Sequence, residues 1–123
     1  MPDNRPTNPN ELAVADLAEL IAAASQLTWP LNQETHQGPT SFRVAFGQGP
    51  IHLGLVEFRI LLFLASRPYH PFTRRAIAEA VNTFADPVTE ETVDAHIDAL
   101  RDQLGVLHDY VQTVPYMGYR FKA

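Results

Sequence analysis

Residues 89–104 read T-E-E-T-V-D-A-H-I-D-A-L-R-D-Q-L, and within them Val93, Ile97, Leu100 and Leu104 recur at steps of four, three and four. That spacing predicts a helix over 89–104 whose apolar stripe lies against a core. At about 100° per residue the opposite face carries Glu91, Ala95, Asp98, Ala99 and Asp102, two small side chains framed by three carboxylates. Glu90 and Glu91 suit the positive end of a helix macrodipole. Asp98 and Asp102 lie past the first turn and gain nothing from it, so the outward surface of this helix is acidic in its own right.

Working outward, Gly105 is a natural stop for the helix. Residues 110–114 and 119–122 are β-like on either side of Pro115-Tyr116-Met117-Gly118, which predicts a terminal hairpin. Upstream, Thr73 is placed to cap a helix over 74–81 buried through Ile77, Ala80 and Val81. Residues 82–88, with Pro87, form the loop between these two helices. An earlier helix begins after Gly54, carries Glu57 in its first turn, buries Phe58, Leu61, Leu62 and Ala65, and ends before Pro68. Residues 69–72 read as a short link.

The first half of the chain changes character twice. Residues 1–10 hold three prolines and read as a disordered leader. Asn10 then looks like an N-cap for a helix over 11–27, with Glu11 and Asp16 near its start. Its stripe of Ala13, Leu17, Leu20, Ala24 and Leu27, widened by Val14 and Ile21, must be buried. Either it folds back on its own domain or it meets a second copy, making residues 11–27 a homodimer contact. Short β-like pieces follow at 29–32, 34–36, 41–46 and 51–53. Phe42, Val44 and Phe46 alternate with Ser41, Arg43 and Ala45, and Gly47-Gln48-Gly49-Pro50 is a turn, so a small antiparallel sheet is expected here. The reading is therefore a leader (1–10), an amphipathic helix (11–27) and one α+β domain (28–123).

Composition narrows the function classes. The chain has 123 residues, 46% of them hydrophobic, enough for one small core. It has no cysteine, and His36, His52, His70, His96 and His108 are scattered without ligand spacing, so neither a metal nor any other cofactor is expected. No apolar run approaches the roughly 20 residues needed to span a bilayer, and Met1-Pro2-Asp3-Asn4 lacks a secretion signal's layout, so a cytoplasmic protein without membrane contact is expected. The formal net charge of −5 works against non-specific attraction to nucleic acid. His96 and Asp94 have no nucleophile, phosphate cradle or carboxylate pair beside them. His96, at the border of the buried stripe, reads as a structural partner, and no enzyme is expected. Trp29, Phe42, Phe46, Phe58 and Phe63 read as core residues.

Four motifs carry a family resemblance. Leu53-Gly54-Leu55-Val56-Glu57-Phe58-Arg59-Ile60-Leu61, then Phe72-Thr73-Arg74, then Thr92-Val93-Asp94-Ala95-His96-Ile97 with Leu100-Arg101 and Leu104-Gly105, and finally Gly118-Tyr119-Arg120-Phe121 resemble the OmpR/PhoB-type effector domain of bacterial response regulators. The resemblance implies a winged helix-turn-helix: a four-stranded N-terminal antiparallel sheet, a three-helix core and a C-terminal β-hairpin wing, here with an extra N-terminal helix. It implies a DNA-binding transcription regulator of two-component type whose third helix enters the major groove and whose wing reaches the minor groove. The loop at 82–88 would be a contact for RNA polymerase. The first 28 residues are too few for a receiver domain, so none is expected.

The resemblance assigns DNA binding to Arg74, Arg75, Thr92, Ala95, Asp98, Ala99, Arg101, Tyr116 and Arg120, with Lys122 near them. The chain departs from the family pattern at this surface. Basic and amide side chains usually line the third helix, whereas this chain has Glu91, Asp98, Ala99, Asp102 and Gln103, with Arg101 as its one basic group. Where the family commonly reads V-R-G-x-G-Y, this chain reads Val114-Pro115-Tyr116-Met117-Gly118-Tyr119. Carboxylates facing phosphates replace counterion release with repulsion. The alternative is a protein-protein interaction module that does not bind DNA and meets a basic partner through Glu91, Asp98, Asp102, Tyr116 and Met117.

Overall fold

Seven residues from Phe58 to Ala65 are buried in helix α2 (Leu55–Ala65), leaving no polar stripe along its second half. A helix that is apolar nearly all round belongs at the centre. In this computed structural model, which describes residues 11–14, 17–26, 29, 41–45 and 50–122, helices α1 (Leu17–Ser25), α3 (Arg74–Val81) and α4 (Val93–Leu104) all pack on α2. Leu20, Phe58, Ile60, Leu61, Ile77, Ile97, Leu100 and Phe121 form the most deeply buried layer. Trp29 meets Phe63 edge-on with ring centroids 5.1 Å apart, in line with the core role expected of both.

Capping sets the helix ends. Thr73 Oγ1 accepts the Ala76 N–H at 3.0 Å and starts α3. Gly54 begins α2 without a side-chain acceptor, and its own N–H donates to Gln103 Oε1 at 2.8 Å, joining the start of α2 to the end of α4. Gly105 closes α4 at φ 60°, a conformation glycine adopts without strain. A 3₁₀ turn (Gly105–Tyr110) then leads into the hairpin.

The hairpin is part of a second sheet. Strands β5 (Val111–Val114) and β6 (Gly118–Phe121) pair antiparallel, and β6 also pairs with β4 (Phe72–Thr73), giving the order β4-β6-β5. Residues 72 and 73, the first of them read from sequence as part of a link, thus anchor the wing to the helix-turn-helix. Gly118 is required there, because a Cβ at that position would run into the backbone carbonyl of Phe72.

Two expectations need correction. The helix expected over 11–27 is split: Glu11–Val14 is strand β1, and only Leu17–Ser25 is helical. β1 pairs parallel with β2 (Ser41–Ala45), whose other edge pairs antiparallel with β3 (Pro50–His52), so among the described residues this sheet has the order β1-β2-β3 and includes a parallel pair where an antiparallel sheet was expected. An Ala- and Leu-rich segment favours helix only weakly, and an open sheet edge that can satisfy its backbone groups overrides that preference. Asn10, Leu27 and the strands expected at 29–32 and 34–36 lie outside the described residues, wholly or except for Trp29. Leu20 and Ala24 are buried in the chain's own core against α2, the first of the two placements expected for this stripe.

The helix expected from Thr89 begins instead at Val93. Thr92 N–H donates to the Thr89 carbonyl at 3.0 Å, and Thr92 Oγ1 accepts the Thr89 N–H at 3.0 Å. Local side-chain bonds of this kind hold a tight turn in place of helix. Glu90 and Glu91 therefore precede the helix, and the acid in its first turn is Asp94.

Leu20→Ala should lower stability by about 2–5 kcal/mol, with a denaturation midpoint independent of protein concentration. A midpoint that rises with concentration would return α1 to a dimer interface.

Candidate nucleic-acid interface

The expected interface is built on one carboxylate. Asp94, in the first turn of α4, accepts the Arg74 Nε–H at 2.7 Å and the Tyr119 hydroxyl at 2.5 Å. It thereby ties the start of α3, the start of α4 and strand β6 together. The guanidinium carbons of Arg74 and Arg101 lie 5.5 and 5.4 Å from the centre of the Tyr119 ring, within cation–π range. Arg101 reaches from α4 to the wing, donating to the Val111 carbonyl at 3.1 Å and to Thr113 Oγ1 at 2.8 Å. Arg120 donates to Gln112 Oε1 at 2.9 Å across the hairpin, and its guanidinium lies 5.9 Å from the Tyr69 ring.

This changes the charges on offer. Arg74 is neutralised by Asp94, and the exposed Arg75 is paired with Glu79 one turn along α3 at 3.0 Å. The second pair is weak in water, so Arg75 can exchange Glu79 for a phosphate at little cost. Arg101 and Arg120 bond neutral groups and keep their charge, but their geometry is set by the wing. Arg101, expected as the one basic group on the outward side of α4, is half-buried against β5.

The outward face is as acidic as the sequence indicated. Glu91, Ala95, Asp98 and Asp102 are exposed and Ala99 is half-buried, while the Thr92 hydroxyl is engaged with Thr89. His96 lies between this face and the core with Nδ1 3.8 Å from Glu57 Oε1, an ion-pair contact to α2 when the ring is protonated. The loop at 82–88 is held by Arg59, which donates to Asp86 at 3.3 Å and to Thr83 Oγ1 at 3.4 Å, and its Phe84 is largely exposed.

The wing tip is a β-turn in which Met117 N–H donates to the Val114 carbonyl at 3.1 Å. Pro115 is its second residue and Tyr116 its third, and Tyr116 takes φ 64°. A positive φ at the third position is the geometry that normally calls for glycine. Tyr116 is fully exposed and Met117 partly so.

Sequence reasoning missed Tyr119, Gln112 and Thr113 as the side chains that orient the arginines. The available signal was the Gly118-Tyr119 step in the hairpin, which puts a tyrosine opposite Phe72 and beneath Arg74 and Arg101.

Three helices packed as a helix-turn-helix, with a hairpin wing bonded to the last of them, define a winged-helix protein. Comparison with known proteins gives the family. Residues 48–121 match the family described as "Transcriptional regulatory protein, C terminal", and the chain belongs to it. It is 39% identical over 85 residues to the phosphate regulon transcriptional regulatory protein PhoB of Escherichia coli, covering 68% of this chain and 37% of that protein. It is 40% identical over 79 residues to the heme response regulator HssR of Staphylococcus epidermidis, covering 63% of this chain and 35% of that protein. Among solved structures it resembles the DNA-binding domain of the response regulator AdeR in complex with an intercistronic region, with a TM-score of 0.56 and 27% identity over 65% of this chain and 83% of that one. It also resembles DrrB, an OmpR/PhoB homologue of Thermotoga maritima, with a TM-score of 0.54 and 32% identity over 64% of this chain and 37% of that one. The winged-helix fold and the transcription-regulator reading of the sequence agree with these comparisons. Among the described residues no helix is long and apolar enough to cross a membrane.

Two predictions follow from the site's electrostatics and its turn. The Tyr119 hydroxyl, followed by Arg74, holds the Asp94 carboxyl below its ordinary range. Its folded-state value is depressed, so its contribution is present above the unfolded value of about 3.9 and is lost as pH falls through the folded one. Burial, followed by the Asp94 bond, pushes the Tyr119 hydroxyl up, so its contribution is present below about pH 10 and lost at higher pH. Thermal melts across pH should show Asp94→Asn flattening the acid limb and Tyr119→Phe flattening the alkaline limb.

Tyr116→Gly should be neutral to stabilising. It relieves about 1–2 kcal/mol of left-handed strain against about 0.4–1 kcal/mol of added unfolded-state entropy. A clear loss in chemical denaturation would mean that the ring contributes to the fold.

Proposed function

We propose that the chain is a DNA-binding transcription regulator that sets α4 into the major groove with the wing against the adjacent backbone. One observation carries the reading. Asp94 and Arg101 lock α3, α4 and the wing into a single unit while the outward face of α4, through Ala95, Asp98 and Asp102, stays open. A rigid unit of that shape presents a helix to a groove at low entropic cost. Arg75, Arg101, Arg120 and Lys122 supply the positive charge, and Arg74 joins them only by giving up Asp94. The wing would meet the duplex with Tyr116 in place of an arginine. The exposure of Phe84 supports the loop at 82–88 as the surface offered to RNA polymerase.

The expected binding is weak and shallow in its salt dependence. Proteins that neutralise six to ten phosphates lose roughly 10³–10⁵ in affinity between 50 and 200 mM salt, and the acidic face of α4 should hold this chain well below that loss. Anisotropy titrations of labelled duplexes at falling salt test this. The expected result is binding that strengthens modestly as salt is removed, and absence of binding to any duplex at low salt would overturn the reading.

The protein-interaction reading keeps one specific observation in its favour. Glu90, Glu91, Asp98 and Asp102 are exposed beside α4's outward surface, and the wing tip is aromatic and apolar. Capture of a basic protein partner together with no duplex binding would favour it.

A further inference from the structure

The DNA reading leaves open which sequence such a helix could read. Ala95, Asp98 and Ala99 stand at i, i+3 and i+4 within the first seven of the twelve residues of α4. Side chains at that spacing lie about 5–6 Å apart on one surface, so the three cover about two base steps of roughly 3.4 Å each. Ala95 and Asp98 are exposed, Ala99 is half-buried, and Asp98 makes no hydrogen bond or ion pair within the described residues. The N-terminal residues of a recognition helix are the ones that meet base edges.

A bare carboxylate has only acceptors to offer. In the major groove guanine shows N7 and O6, thymine shows O4, and adenine sets N7 beside its amino group, so each presents an acceptor to Asp98. Cytosine alone shows a donor, its N4 amino group, without an adjacent acceptor on the same base. The methyl of an alanine gives thymine's C5-methyl group an apolar contact.

Resting on the DNA-binding reading, we propose that α4 selects a pyrimidine step. Asp98 accepts from the amino group of a cytosine, and Ala95 and Ala99 pack on the methyl groups of neighbouring thymines. The acidic residue is then a reader of sequence, and the same charge that weakens binding to every duplex discriminates against guanine at one position. Asp102, one turn further along, has no such base-reading role and acts on all sequences alike by repelling the backbone.

Selection of bound duplexes from a random pool tests this, run in parallel with the wild-type chain, Asp98→Asn and Asp102→Asn. The wild type should enrich a cytosine flanked by thymine. Asp98→Asn should replace that cytosine with adenine, because an amide pairs with adenine N6 and N7, and should leave the flanking thymines in place. On the wild-type duplex its affinity relative to a cytosine-to-adenine duplex should shift by about tenfold, the low end of what one base contact discriminates. Asp102→Asn should bind all duplexes more tightly with the motif unchanged. Since Asp98 is exposed and has no partner among the described residues, a thermal melt should show both variants folded. Enrichment of one motif by wild type and Asp98→Asn alike, a motif without the cytosine, or binding with no motif would overturn the inference and leave DNA binding intact. No binding by any of the three at low salt would instead remove the DNA-binding reading, and this inference with it.

Discussion

The hydrogen bonds that converge on Asp94 hold the candidate interface together. One carboxylate receives Arg74 from α3 and Tyr119 from the wing while it sits on α4. Three elements remote in sequence thus share one acceptor, and the orientation of the outward helix becomes a property of the whole domain. The pair Arg74–Asp94 is partly open to water, so its worth lies in geometry more than in energy. The Tyr119 ring adds to that geometry by lying within cation–π range of two guanidinium groups, and Gly118 beside it allows β6 to come close to β4.

That arrangement explains why a chain with nine basic residues and a family surface for nucleic acid presents so little free positive charge there. Most of the relevant arginines are joists between elements. Arg74 is matched by Asp94 and Arg101 is bonded to β5, so the cations that could meet phosphate are few and stand at the edges. What remains exposed on α4 is a row of carboxylates and alanines. Such a surface gains little from counterion release, and under the proposed DNA reading its selectivity comes from which base edges tolerate an acceptor and a methyl group.

Much of the domain was legible in the residues alone. The stripe Val93, Ile97, Leu100 and Leu104 is buried as its spacing required, Thr73 caps α3, Gly105 ends α4, and the hairpin forms about Pro115-Tyr116-Met117. The failures share a cause. Residues 11–14 look helical by local preference, yet they complete a sheet edge that belongs to residues 41–45. The turn at 89–92 looked like a first helical turn, yet threonine side chains close it on itself. Arg101 looked free, because no local pattern says that the strand at Val111–Val114 passes within its reach.

The sequence by itself determined the elements that rest on periodicity and capping, the family to which the chain belongs, and the acidity of the helix at 93–104. These are properties of neighbours a few residues apart, where side-chain spacing and backbone preference act directly. Only the tertiary structure decided that the N-terminal segment pairs as a strand with residues 41–45 and packs as a helix on α2, that Asp94 gathers Arg74 and Tyr119, and that Asp98 has no partner among the described residues on an open face. Each of those depends on segments distant in the chain meeting in space, and the energy that brings them together comes from burying the shared core around α2, which no short stretch of residues can display.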